Sequence, residues 1–132
     1  MRKPIKNLLA RKTVLFVAIA YSIVVTALLL TPIPEQSSVD VPNLDKLVHV
    51  FIYMLLVLLW LWAKVSKFSG KQQKTWWVIS FVLIYGIVIE IIQGNFIPTR
   101  SFDFFDILAN TGGILLGYWI FRTGFFQNRI LK

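Results

Sequence analysis

Six acids and a single histidine hold most of the acid–base chemistry open to this chain, and four of the acids gather with the histidine in three polar stretches. These are Asp45-Lys46-x-x-His49-x-x-x-Tyr53, Glu90-x-x-Gln93, and Arg100-x-x-Asp103-x-x-Asp106-x-x-x-Asn110. At 100° per helical residue, Asp45, Lys46, His49 and Tyr53 share a sector of about 100°, while Asp103, Asp106, Asn110, Gly113 and Gly117 share one of about 80°. Each group therefore forms one stripe. An acid one turn before an imidazole can hold it as a general base or nucleophile, which suits Asp45 and His49. Glu90 and Asp106 are further candidates for catalysis. Lys46, Tyr53, Gln93, Arg100 and Asn110 supply the cationic and hydrogen-bonding groups that a phosphate-bearing ligand needs. Glu90, Asp103 and Asp106, with Asn110 beside them, also form an oxygen-rich set suited to Mg²⁺ or Ca²⁺.

Plainer structural roles compete for the same residues. Asp103 and Asp106 fit the first turn of a helix, where acids complement the positive end of the macrodipole, and Asp45 fits another such position. Gln93 and Asn110 fit as interhelical glue, and a lone histidine is often a hydrogen-bonded packing residue. What separates the cluster from these roles is Glu90. A carboxylate within hydrocarbon costs about 3 kcal/mol or more unless it is paired or hydrated. Arg100, Lys46, His49 or a bound metal ion would offset that cost.

The elements that must position these groups are membrane spans. Of 132 residues, 57% are hydrophobic, above the roughly half that is usual for a soluble domain. The first apolar run, Thr13 to Thr31, is 19 residues without a charge, long enough to cross about 30 Å of hydrocarbon. It reads as an uncleaved span, since it is long for a signal peptide and no small-residue cleavage site follows. Pro32 to Asn43, with three prolines, reads as a loop. Helix two is expected from about Leu44 to Ala63. Helix three is expected from about Trp76 to Gln93, stopped by Gly94 and the Asn-Phe-Ile-Pro that follows. Helix four is expected from about Asp103 to Phe121. The chain thus divides into a basic terminus (1–12), a four-helix domain (13–121) and an interfacial tail (122–132) anchored by Phe125 and Phe126.

Charge sets the expected orientation. Twelve of the 14 Lys and Arg residues lie at one side of such a bundle, leaving Lys46 and Arg100 at the other. The positive-inside rule then places both termini in the cytoplasm and the polar stretches on the far side of the inner membrane. All six acids fall in or beside that far half. Trp60, Trp62, Trp76 and Trp77 bracket the basic second loop as an aromatic belt would. A net charge of +8 spread over such flanks records membrane contact, and no nucleic-acid-reading motif accompanies it. The absence of cysteine excludes disulfides, thiolate metal sites and a cysteine nucleophile, and one histidine excludes any site needing two imidazoles from one chain.

The stretches Asp45-Lys46-Leu47-Val48-His49-Val50-Phe51-Ile52-Tyr53, Glu90-Ile91-Ile92-Gln93 and Pro98-Thr99-Arg100-Ser101-Phe102-Asp103-Phe104-Phe105-Asp106-Ile107-Leu108-Ala109-Asn110-Thr111-Gly112-Gly113 together resemble the VanZ-like family of bacterial membrane proteins. That family's namesake is associated with glycopeptide (teicoplanin) resistance. The resemblance covers the chain from about residue 40 to 118. It implies an all-α fold of four transmembrane helices in a compact bundle, with both termini inside. By analogy it also implies exchange or hydrolysis of phosphate-linked headgroups, on membrane lipids or on polyprenyl-phosphate-linked cell-envelope precursors. A phosphoester hydrolase or transferase is one reading. The alternative is a non-enzymatic binder or transporter of a lipid headgroup, a cell-wall fragment or an antibiotic. Four short helices without a broken pair or inverted repeat are few for a transporter.

Overall fold

The computed structural model describes residues 2–32, 44–64, 72–98 and 102–123, with side chains from residue 12 in the first segment and from residue 75 in the third. Within them the chain forms four helices, α1 (Arg2–Leu30), α2 (Leu44–Lys64), α3 (Gln72–Phe96) and α4 (Phe104–Arg122). Each contains a run long and apolar enough to cross a membrane: Lys12–Leu30, Leu44–Lys64, Thr75–Phe96 and Phe104–Arg122. Contacts between helix ends set the directions. Gln93 near the end of α3 meets Leu29 near the end of α1, so these two run parallel, whereas Trp76 near the start of α3 lies beside Tyr118 near the end of α4, so that pair runs antiparallel.

Three helix limits differ from expectation, one of them the start of α3, at Gln72 and not near Trp76. The basic flank before the first span is helical from Arg2, because Pro4 lies in the first turn, where its missing amide is not needed. Gly94 does not end α3, which continues to Phe96. Its lack of a side chain serves packing instead: a Cβ there would lie 2.8 Å from Phe102 Cβ and 2.9 Å from the Phe102 backbone nitrogen. The longer helix sets Glu90 six residues, or about 9 Å, inside the end of α3.

In lipid, an apolar side chain gains nothing by turning inward, so small and polar residues decide which face a helix buries. The described chain follows that rule. Phe16, Phe81, Trp77 and Trp119 point outward, while α4 buries Asp106, Asn110, Gly113, Ile114 and Gly117. A Cβ on Gly113 would collide with the carbonyl oxygen of Val50, and one on Gly117 would collide with Val57 and lie 2.8 Å from the Met54 carbonyl oxygen. Here α2 and α4 touch backbone to backbone, the most extensive contact in the bundle.

Polar bonds tie α1 to α2 and α3. Trp60 Nε1 donates to Ser22 Oγ at 3.0 Å, Tyr21 Oη donates to the Ile52 carbonyl at 3.0 Å, and the hydroxyls of Thr26 and Tyr85 share a hydrogen bond of 2.6 Å. Each satisfies a group that hydrocarbon could not. The apolar core between them is built on Val25, Leu56, Val57, Leu61, Val82 and Ile114.

Candidate functional site

The three polar stretches meet at the end of the bundle where α2 and α4 begin and α3 ends. His49 enters from α2, Glu90 and Gln93 from α3, and Asp106 and Asn110 from α4, and all five are buried. His49 and Glu90 are each 1% exposed. The stripe arithmetic holds for α2 as well, where His49 and Tyr53 face inward and Asp45 and Lys46 lie at the rim.

Asp103 organises the start of α4. Its carboxylate caps the helix by accepting from Phe105 N at 2.9 Å, and its carbonyl accepts from Asp106 N at 3.1 Å. Its second carboxylate oxygen takes Lys46 Nζ at 3.2 Å. The Phe105 amide, then the Lys46 ammonium, hold the Asp103 carboxyl below its ordinary value. Its own amide points the other way, donating to Glu90 Oε1 at 3.2 Å. A backbone donor thus partly offsets the cost of burying Glu90. Arg100, the other expected partner, lies outside the described residues.

The remaining members divide into spent and unspent groups. Gln93 Nε2 donates to the Leu29 carbonyl at 2.6 Å, filling one of the four carbonyls that the end of α1 leaves open. His49 Nδ1 is bonded to Asn110 Oδ1 at 2.9 Å. Tyr53 stacks beside His49, with ring centroids 6.4 Å apart and planes 12° from parallel. Among the described residues, three buried oxygens have no hydrogen-bond partner: Tyr53 Oη, Glu90 Oε2 and Asp106 Oδ1. Lys46 Nζ lies 3.7 Å from that Asp106 oxygen, a charge contact too long for a hydrogen bond.

Of the expected metal set, Asp103 is committed to the cap and Lys46, and one oxygen of Glu90 to the Asp103 amide. The set whose ligand atoms come together among the described residues is Asp45, His49 and Asp106, all within 4.8 Å of one another. The described cluster is strongly acidic, with Asp45, Glu90, Asp103 and Asp106 set against Lys46. It therefore attracts cations more readily than it attracts a bare phosphate.

One supporting residue was not legible as part of the site. A Cβ on Gly86 would lie 2.9 Å from Tyr53 Cε1 and 3.3 Å from Asn110 Nδ2, so this glycine makes the room in which Tyr53 and Asn110 sit behind His49. Its only signal in the sequence is a glycine inside an apolar run, which by itself says close approach but not to what.

Four helices long and apolar enough to cross a membrane, with an ionisable cluster buried at one end, define a multi-pass membrane protein. More specifically, the chain belongs to the VanZ/LLP1 family, whose model matches residues 12–127. It is also 32% identical over 106 residues to an uncharacterized protein of the fission yeast Schizosaccharomyces pombe, a match that takes in 80% of this chain and 60% of the relative. A relative in a yeast means that membership of this family does not by itself mark a chain as bacterial. No solved structure matches this chain.

Proposed function

We propose that this protein acts on phosphate-linked headgroups of membrane lipids, or of lipid-carried cell-envelope precursors, by headgroup exchange or hydrolysis. The observation that carries the reading is the convergence of His49, Glu90 and Asp106 from three spans into one buried cluster, with carboxylate oxygens that find no hydrogen-bond partner among the described residues. Ionisable groups held at such cost inside a membrane are, as a rule, functional. In this reading His49 is the base or nucleophile, with Asp45 Oδ1 at 3.8 Å from its Nε2 to hold the imidazolium formed during turnover. Lys46 and Arg100 supply positive charge to the phosphate. With the orientation that the basic flanks favour, the pocket opens away from the cytoplasm, where outer-leaflet headgroups lie. Teicoplanin resistance would follow only in a host whose cell-envelope precursors this chain remodels.

A second reading, a non-enzymatic binder of a headgroup, cell-wall fragment or antibiotic, is favoured by the near-complete burial of His49 and Glu90. That burial leaves Asp45 and Lys46 as the accessible members. Purified protein in vesicles of phosphatidylglycerol or polyprenyl diphosphate, followed by ³¹P NMR, separates the two. Turnover that His49→Ala abolishes while vesicle binding persists supports the enzyme. Binding with no turnover supports the receptor.

A further inference from the structure

We propose that Asp45, His49 and Asp106 form a binding site for one divalent transition-metal ion, Mn²⁺ or Zn²⁺, with Asn110 positioning the histidine. The site stands on this geometry and does not depend on the headgroup reading.

The argument begins with a proton. Asn110 Oδ1 is a carbonyl oxygen and can only accept, so the 2.9 Å bond to His49 requires the hydrogen on Nδ1. A neutral ring then presents the lone pair of Nε2. That lone pair faces Asp45 Oδ1 at 3.8 Å, and Asp106 brings a second carboxylate into the same cluster. Three electron-rich atoms within 4.8 Å of one another repel unless a proton or a cation lies among them. A metal-bound histidine whose other ring nitrogen donates to a carbonyl is the usual outer arrangement of such a centre.

Asp106 supplies an independent indication. Its side chain is 9% exposed and its Oδ1 has no hydrogen-bond partner among the described residues. The neighbouring ammonium does not fill that place, because Lys46 is engaged with Asp103 at 3.2 Å and stays 3.7 Å from Asp106.

The distances are close to what an ion needs. Ligands about 2.0–2.2 Å from one ion lie roughly 3–4.4 Å apart. The three atoms here are all within 4.8 Å, and Asp45 is exposed at the rim and able to swing in by the remainder. Asp45 and His49 are one turn apart on α2, while Asp106 is held opposite by the glycine contact between α2 and α4. One imidazole with two carboxylates favours Mn²⁺ or Zn²⁺ over Mg²⁺ or Ca²⁺, which prefer oxygen alone. Such an ion would keep open positions for a phosphate oxygen; while it is bound, His49 Nε2 serves as its ligand and not as the base of the headgroup reading, and that last step alone rests on that reading.

The test uses the full chain in detergent, stripped with EDTA and titrated with MnCl₂, ZnCl₂ or MgCl₂ alone. Bound metal is followed by elemental analysis and, for Mn²⁺, by its EPR spectrum. One Mn²⁺ or Zn²⁺ per chain is expected, with Mg²⁺ a poor competitor. His49→Ala, Asp106→Asn and the surface change Asp45→Asn should each lower affinity at least tenfold. Glu90→Gln should keep the stoichiometry. Asn110→Leu should weaken binding roughly 10–100-fold and Asn110→Asp should restore it, a rescue that a purely structural role would not produce. Asp45→Asn keeps the comparison valid if a buried variant fails to fold. The proposal is overturned by no binding above that of Asp45→Asn, or by loss in Glu90→Gln equal to that in His49→Ala. It is also overturned if ¹⁵N NMR finds both His49 nitrogens protonated in Zn²⁺-saturating solution at neutral pH. Metal binding without headgroup turnover would leave this site standing and remove only the proposed function.

Discussion

The backbone amide of Asp103 donates to the buried carboxylate of Glu90 at 3.2 Å, joining the entry of α4 to the end of α3. The bond needs an acceptor at position 90 but not a charge. Glu90→Gln should therefore keep the fold, whereas Glu90→Ala should cost about 1–3 kcal/mol by stranding the amide. Thermal unfolding of the two variants in one detergent measures the difference, and equal losses would mean that the bond is not a stabilising one.

Arg100 remains the proposed cationic partner of this acid and of a phosphate ligand. Glu90→Gln combined with Arg100→Gln should lose less stability than the two single changes added together, because removing both leaves neither charge unpaired. Activity toward vesicles should not return in the pair. Additive stability losses would separate the two residues, and full activity in the pair would remove both from the ligand.

Adjacent glycines offer an internal control on the α2–α4 contact. Gly113→Leu should destabilise the protein by about 1–3 kcal/mol, since it forces a side chain into the Val50 backbone. Gly112 has nothing within 4 Å of where its Cβ would lie, so Gly112→Ala should be neutral or raise stability by about 0.5–1 kcal/mol. Parallel melting curves that failed to separate the two would contradict the close packing.

The lowered Asp103 carboxyl carries a pH dependence with a definite sign. A group whose folded value is depressed stabilises the protein fully above its ordinary value of 3.8, and that contribution is lost as pH falls from there through the folded value. At neutral pH the bond to Phe105 and the Lys46 pair are in place. Asp103→Asn keeps an N-cap but cannot ionise, so its stability between pH 5 and pH 2 should fall less steeply than that of the wild type. Asp103→Ala should lose about 1 kcal/mol at pH 7 as well. Parallel acid titrations of the melting temperature read both effects.

Orientation can be read without background labelling, because the chain has no cysteine of its own. Cysteines placed at Ser37 and Ser69 should behave oppositely toward an impermeant thiol reagent in intact cells, the first labelled and the second spared. The reverse pattern would put both termini outside and turn the pocket toward the cytoplasm.

Much of the architecture was legible in the residues alone. Uncharged runs of span length dictate four helices, because hydrocarbon accepts no unpaired backbone. The helical period is enough to align Asp45, His49 and Tyr53 on one stripe and Asp106, Asn110, Gly113 and Gly117 on another. Partnership was not legible. Period sets the direction in which a side chain points on its own helix, but not the rotation and offset of the neighbouring helix. In lipid no hydrophobic gradient supplies them. Those were decided by the contact of Gly113 with the Val50 backbone and by the room that Gly86 leaves for Tyr53 and Asn110. Hence Gln93, expected at a ligand or as interhelical glue, donates to a carbonyl of α1, and Gly94, expected as a stop, lies under Phe102 within the helix. His49 takes Asn110 on one nitrogen and has Asp45 3.8 Å from the other, with Asp106 in the same cluster, an arrangement that exists only once α2 and α4 have closed on each other.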